Sequence, residues 1–345
     1  MIIKSKSHAR IGLIGNPSDG YNGKTISCSI SNFWASTTLW ESPNLQIELN
    51  PSCDPTNFES LSQLHQLTEE NGYYGGLRLI QASCKKFYEY CQEVHIELPR
   101  KNFTCTYNTN IPRQIGLGGS SAIITAMMKS LMQFYNLGHD QIDKRILPSL
   151  ILSVETEELG INAGLQDRVV QVYGGTVFMD FSKEVMDKVG TYEFGHYESL
   201  DSALVPPLFL AYLSAPSDSG KIHSDVNFRY QNNDPEVVSA MRTFADYASS
   251  FRFVMKNGDV ERIKELMNQN FDLRRRIFGD IVIGSKNLEM IEIARRYGCP
   301  AKFAGSSGAV IGIYEDPAQL QQLSLSYRQR GYELIKLSIN INGKT

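Results

Sequence analysis

No two cysteines in this chain stand at CxxC spacing, and the six histidines cluster neither with one another at HxxxH spacing nor with cysteine. Cys28, Cys53, Cys84, Cys91, Cys105 and Cys299 are scattered, so neither a structural zinc nor a redox dithiol is expected. Cys84 and Cys91 lie seven apart in a helical stretch and read as small apolar packing residues, which points to a reducing compartment. Excess positive charge is also missing. With 34 Lys and Arg against 37 Asp and Glu, the net charge is −3, so no global basic field invites nucleic acid or an acidic membrane. No apolar run reaches membrane-spanning length, and MIIKSKSHARIGL passes from a short basic patch into strand-like sequence, so the expected home is the cytosol. Internal repeats and low-complexity tracts are absent too.

What remains is an ordinary globular composition, 42% hydrophobic and 21% charged, in 345 residues. That length exceeds one comfortable core and predicts two lobes, residues 1–200 and 201–345, with the boundary between Lys188 and Pro207, where regularity lapses. Strand patterns occupy Ala9–Ile14, Thr25–Ile30, Phe33–Leu39 and Leu45–Leu49, followed by a helix over Gly76–Val94 and a strand over Phe103–Thr109. Ile142–Leu159 reads as a helix bent near Pro148, and Thr176–Phe181 as a strand. Beyond the strand Leu208–Leu213, helices are predicted over Pro235–Lys256, Asp259–Phe278 and Leu288–Tyr297. A strand–helix–strand unit closes the chain at Ala309–Tyr314, Pro317–Arg328 and Tyr332–Ser338. Strands and helices cluster rather than alternate, so the fold class is α+β.

The most informative stretch is IPRQIGLGGSSAIITAMMKSL, Ile111–Leu131. Gly116, Gly118 and Gly119 open backbone conformations closed to other residues, and Ser120 and Ser121 suit a helix N-cap. The apolar positions from Ile123 to Tyr135 then recur at helical spacing, so a glycine loop feeds a helix N-terminus, an anion cradle. GNPSDGYNGKT, Gly15–Thr25, imitates a P-loop, but Ser18 stands where the motif needs glycine, and strand-like sequence follows it. Two more features accompany the cradle: Glu155 and Asp167 flanking the turn in SVETEELGINAGLQDRVVQVYGG, and a second glycine/serine loop in KFAGSSGAVIGIY. Three such loops suggest one shared ligand.

HARIGLIGNPSDGYNG, PRQIGLGGSSA and KFAGSSGA, in that order, resemble the three motifs of the GHMP small-molecule kinases. The likeness runs nearly end to end and is nearest to the branch that phosphorylates glucuronate. It implies a two-domain fold, S5-like in the N-terminal domain and ferredoxin-like in the C-terminal one, and a reaction that spends ATP with magnesium. By that resemblance Gly116, Leu117, Gly118, Gly119, Ser120 and Ser121 wrap the ATP phosphates, joined by Gly305, Ser306 and Ser307. Ser120 and Glu155 would hold magnesium, Asp167 would be the catalytic aspartate, and Arg10 a cation near the transferring phosphate. Gly119 stands where the family usually has serine. Where galactokinase-like members carry Glu and His, this chain has Asn16 and Pro17, followed by Ser18 and Asp19; Asn16 and Asp19 would face the sugar. Loss of a carboxylate at position 16 suits an anionic sugar.

A uronate needs a counter-ion, and the resemblance places Arg113, Arg168 and Lys221 near the acceptor. Trp34 is a candidate neighbour of adenine. The run Arg274, Arg275, Arg276 reads as a salt-bridged helical face. The implied activity is phosphorylation of glucuronate at its anomeric oxygen, feeding UDP-glucuronate. The alternatives are another anomeric sugar kinase, for arabinose, galacturonate or galactose, and a catalytically silent sugar and ATP sensor. ATP and a uronic acid or sugar are the only partners expected, with no nucleic acid and no membrane.

Overall fold

A computed structural model describes residues 1–51, 53–71, 75–213 and 224–340. The first sheet has six strands, with β1 (Ile2–Ile14) paired along β2 (Lys24–Ser42). The long β2 pairs through its second half with β4 (Asn102–Thr109), which also carries the short β3 (Gln46–Ile47), and through its first half with β5 (Thr176–Asp180). β8 (His196–Leu200) completes the sheet beside β5, and a small hairpin of β6 (Asp187–Val189) and β7 (Tyr192–Phe194) precedes it. Much of the stretch from Lys188 to Pro207, where regularity was expected to lapse, is therefore strand. Runs of three residues are too short to show the alternation by which strands are recognised.

The helices of this half are α1 (Leu61–Asn71), α2 (Gly76–Glu93), α3 (Gly119–Phe134), α4 (Leu147–Ser153) and α5 (Leu165–Tyr173). Pro148 does not bend a helix: it sits in the first turn of α4, where its missing N–H costs nothing. Helix α4 continues into a π-helical turn, Val154–Glu158. In the second half, β9 (Leu208–Leu213) is central to an antiparallel sheet with β10 (Ala301–Phe303), β11 (Ala309–Ile313) and β12 (Tyr332–Lys336). Four helices precede β10 in sequence: α6 (Ser224–Gln231), α7 (Pro235–Lys256), α8 (Val260–Ile283) and α9 (Ser285–Arg296). Helix α10 (Pro317–Arg328) joins β11 to β12. The sequence pattern ended α8 at Phe278, and Gly279, at φ 76°, does break its axis there.

The chain passes from one sheet to the other between Leu200 and Leu208, yet packing does not stop at that passage. Ile11 and Leu13 of β1 belong to the same buried cluster as Phe251 and Met255 of α7, Leu266 and Met267 of α8, and Ile311 of β11. Such interior contacts resist displacement, so α7 and α8 hold the second sheet close to the open end of β1. Three loops meet there.

Candidate active site

The cradle is built by the turn out of β4 into α3. Gly116 (φ 70°) and Gly118 (φ 74°) take left-handed conformations, and Gly118 is the N-cap of α3. The helix thus begins at Gly119, and Ser120 and Ser121 lie inside its first turn rather than capping it. Their hydroxyls go to different tasks: Ser121 donates to the Gly118 carbonyl at 3.0 Å, whereas Ser120 donates to Glu155 Oε1 at 2.6 Å.

The third loop, Gly305–Gly308, presses on the cradle. A Cβ at Gly305 would stand 2.2 Å from the Gly116 carbonyl oxygen, so only glycine fits, and a Cβ at Gly116 would stand 3.0 Å from the Ser307 carbonyl oxygen. Leu117 is buried, and its carbonyl accepts the Arg10 N–H of β1 at 3.1 Å. The Arg10 side chain then joins three elements, donating to the Gly116 carbonyl at 2.6 Å, to the Ala304 carbonyl at 3.3 Å, and to Asp167 Oδ1 at 2.6 Å.

Asp167 and Arg168 sit in the first turn of α5, where a carboxylate benefits from the helix N-terminus. Burial pushes the Asp167 carboxyl up, but the guanidinium of Arg10 and then that of Arg168 outweigh it and hold it below its ordinary value. Its Oδ2 points toward Gly118, where an added Cβ would lie 2.9 Å away. Glu155 is wholly buried and accepts from Arg168 Nε at 2.8 Å as well as from Arg168 Nη2. Its neighbours turn outward, Glu157 to Lys86 at 2.7 Å and Glu158 to Lys85 at 2.5 Å. The π-helical turn therefore selects one of three nearby glutamates for the interior, a common use of such turns.

A small hard cation fits the pair of Ser120 Oγ and Glu155 Oε1, because both are oxygen donors, they already lie in contact, and the second carboxylate oxygen is fixed by Arg168. Among the described residues no group of three or more His, Cys, Asp or Glu could hold a metal, so phosphate oxygens and water would complete the shell. Nucleotide phosphate suits the same place: the glycine loop aims at the N-terminus of α3, and the Ser307 hydroxyl is buried without a hydrogen-bond partner.

Asn16 itself donates weakly to the Gly305 carbonyl at 3.5 Å, and Asp19, half-buried, stands 3.7 Å from where a Cβ on Gly164 would be. Burial, then the Asp167 charge, pushes the Asp19 carboxyl up to about 6, against the pull of Arg10 and Arg274. A carboxyl raised on folding favours its protonated form there, so its stabilising share is complete below about pH 4 and is lost as pH rises through 6. Asp19→Asn is accordingly expected to melt higher than the parent chain at pH 7.5, with the advantage gone below pH 4. Melting curves at both pH values check this, and equal midpoints at pH 7.5 would contradict it.

The remaining expected residues are placed less uniformly. The Arg168 guanidinium is buried and committed to Glu155 and the Gly164 carbonyl, while exposed Arg113 donates to the Cys53 carbonyl. Lys221 lies outside the described residues. Trp34 is not brought to the glycine loop. Thr37 of β2 bonds the Ala126 carbonyl of α3, and side chains three apart on a strand point to opposite faces, so Trp34 looks away from α3. It lines a separate groove of about 510 Å³ with Lys4, Lys6 and His8, under the Lys6 ammonium at 4.6 Å. Arg275 pairs with Asp280 at 2.7 Å as expected of a salt-bridged face, but Arg274 departs from that expectation and turns inward to the third loop. Buried Lys302 is a further cation the sequence reading passed over, bonded to the Gly12 and Phe303 carbonyls at 2.7 Å.

A family model described as the GHMP kinases N terminal domain matches residues 78–175. The chain is 49% identical to glucuronokinase 1 of Arabidopsis thaliana over 338 residues, 98% of this chain and 92% of that one. It is 50% identical to the probable glucuronokinase 2 of the same plant over 340 residues, covering 97% and 92%. In fold it resembles the Lactococcus lactis galactokinase solved with galactose, at TM-score 0.74 and 14% identity, over 99% of this chain and 94% of that one.

Proposed function

This chain belongs to the glucuronokinase branch of the GHMP kinase family, and on that premise we propose that it transfers the γ-phosphoryl group of ATP to the anomeric oxygen of D-glucuronate. The product would be 1-phospho-α-D-glucuronate, with ADP released, and would supply UDP-glucuronate synthesis. One observation carries the reading: Arg10, Asp167, Ser120 and Glu155, drawn from four separate segments, converge on one glycine cradle.

Phosphoryl transfer asks mostly for positioning and for relief of charge spreading over phosphate oxygens. Arg10 is pinned by Asp167, Gly116 and Ala304, so its charge stands beside the cradle without having to reorganise during the reaction. Asp167 keeps Oδ1 on Arg10 and turns Oδ2 toward Gly118, with Arg168 Nη1 3.9 Å away and beyond hydrogen-bond reach, so that Oδ2 can orient the acceptor hydroxyl. Its lowered pKa makes it a weak base, which suits a proton accepted late, once the new P–O bond has lowered the hydroxyl's own pKa. Magnesium, when bound by Ser120 and Glu155, supplies further neutralisation of phosphate charge. Asp19 and Asn16 offer the acceptor one carboxylate and one unsatisfied carbonyl oxygen.

The two serines separate cleanly by experiment. Ser120→Ala is expected to raise the magnesium concentration for half-maximal rate about tenfold or more, since the ion loses one of two protein ligands. Ser121→Ala should change it less than about twofold, because that hydroxyl serves Gly118. Magnesium titrations of both variants at saturating ATP check the assignment, and the reverse order would sink it. The activity itself is tested by coupled ADP release across glucuronate, galacturonate, arabinose and galactose: turnover preferring glucuronate supports the proposal, and preference for a neutral sugar overturns it. Binding of sugar and ATP without turnover would instead mark a sensor.

A further inference from the structure

The third loop is gripped from beneath by a cation that none of the three motifs contains. Arg274 of α8 is 3% exposed; its Nη1 donates to the Gly305 carbonyl at 3.1 Å and its Nη2 to the Ser306 carbonyl at 2.6 Å. The guanidinium lies 4.8 Å from the Phe303 ring centre and 5.2 Å from that of Phe278, which shields it from water. One turn earlier on the same face, Asn270 accepts the Gly15 N–H at 2.8 Å and donates to the Asn16 carbonyl at 3.2 Å. Residues four apart on a helix share a face, so α8 holds the first loop with one side chain and the third with the next.

Two neutral carbonyls are thin compensation for a buried charge. Burial lowers the Arg274 guanidinium to about 10, and Asp19, then Tyr21, pull it back, so it stays charged at neutral pH. The groups facing Asp19 are Arg10 from β1, Asp167 from α5, Arg274 from α8, Lys302 from β10 and Tyr21 from its own turn. Arg10 is already matched by Asp167. Lys302 is itself driven well below its ordinary value by burial, then by Arg274 and Arg10, and spends its hydrogen bonds on Gly12 and Phe303. Asp19 is drawn down by Arg10 first and by Arg274 less, so Arg274 is one contributor to its field.

We propose that Arg274 is a positioning residue that joins the acceptor pocket to the phosphate cradle, holding Gly305 and Ser306 against Gly116 while fixing the Gly305 carbonyl that Asn16 also meets. The proposal rests on Asn16 facing the sugar. It gives the enzyme one part whose loss is felt by both substrates, although Arg274 itself is buried behind the loop.

Two substitutions test the grip. Arg274→Lys keeps a charge but gives up the two-pronged hold, whereas Arg274→Met gives up both at similar volume. Amide hydrogen exchange within residues 304–308 is expected to quicken in both variants while the first sheet keeps its protection. The KM for ATP should rise about tenfold in both. The KM for glucuronate should rise in both as well, because the Gly305 carbonyl that Arg274 fixes also accepts from Asn16. An unchanged KM for ATP in Arg274→Met, or exchange quickened evenly through the chain, would reduce Arg274 to a packing residue. If the parent chain fails to phosphorylate glucuronate, the functional reading falls, but the exchange pattern still decides whether Arg274 grips the loop.

Discussion

Asp167→Asn is expected to lower kcat about 10²–10⁴-fold while leaving the melting midpoint within a few degrees of the parent chain. The amide keeps the shape and can still accept from Arg10, which retains its bonds to the Gly116 and Ala304 carbonyls, so the cradle should stay assembled. What disappears is the negative charge that orients and finally deprotonates the acceptor hydroxyl. KM for ATP should shift little, since Asp167 faces the cradle only through Oδ2. Steady-state kinetics with a parallel melt make the check, and near-normal kcat would remove Asp167 from the chemistry.

Glu155 should behave differently, because its loss breaks the fold as well as the reaction. Its carboxylate and Arg168 form a pair whose side chains are 1% and 5% exposed. Glu155→Met strands the Arg168 guanidinium in the interior, a change that typically costs about 3–5 kcal/mol. Arg168→Met in the same chain should recover most of that loss, since a buried pair replaced whole by apolar residues is often neutral, yet the double variant should remain inactive for want of a magnesium ligand. Urea unfolding of the three variants reads the stability. A single variant destabilised by under about 1 kcal/mol would show that Arg168 finds another partner, and an active double variant would free Glu155 of its assigned role.

The parts of this site that proved legible in the sequence were those whose chemistry is local. A glycine loop running into an apolar helix announces itself within twenty residues, whereas Arg10 and the roles expected of Glu155 and Asp167 came from the resemblance to the family's motifs. Orientation was harder, because it depends on neighbours distant in the chain. The hydroxyls of Ser120 and Ser121 look alike in sequence, and only the π-helical turn carrying Glu155 gives them different work. The facing of Trp34 was out of reach for a similar reason: alternation shows that successive side chains face opposite ways, but not which of them looks toward α3. Three arginines in a row suggested a salt-bridged face, and Arg275 obeyed. Arg274 did not, and its signal was four residues earlier, where Asn270 stands on the same buried stripe as Leu266, Phe271 and Ile277. Such polar positions on an apolar face gain meaning only when the loop they serve is in place. Helix α5 was missed because its β-branched valines hid the helical period behind a strand-like look.

Phosphorus NMR of the product, formed from ATP, magnesium and D-glucuronate by the purified chain, addresses the central claim most directly. The account predicts ADP in equal amount with a sugar phosphate whose phosphorus couples to the anomeric proton, and no such signal with Asp167→Asn. ATP left intact beside glucuronate, or phosphate attached to another sugar oxygen, would contradict it.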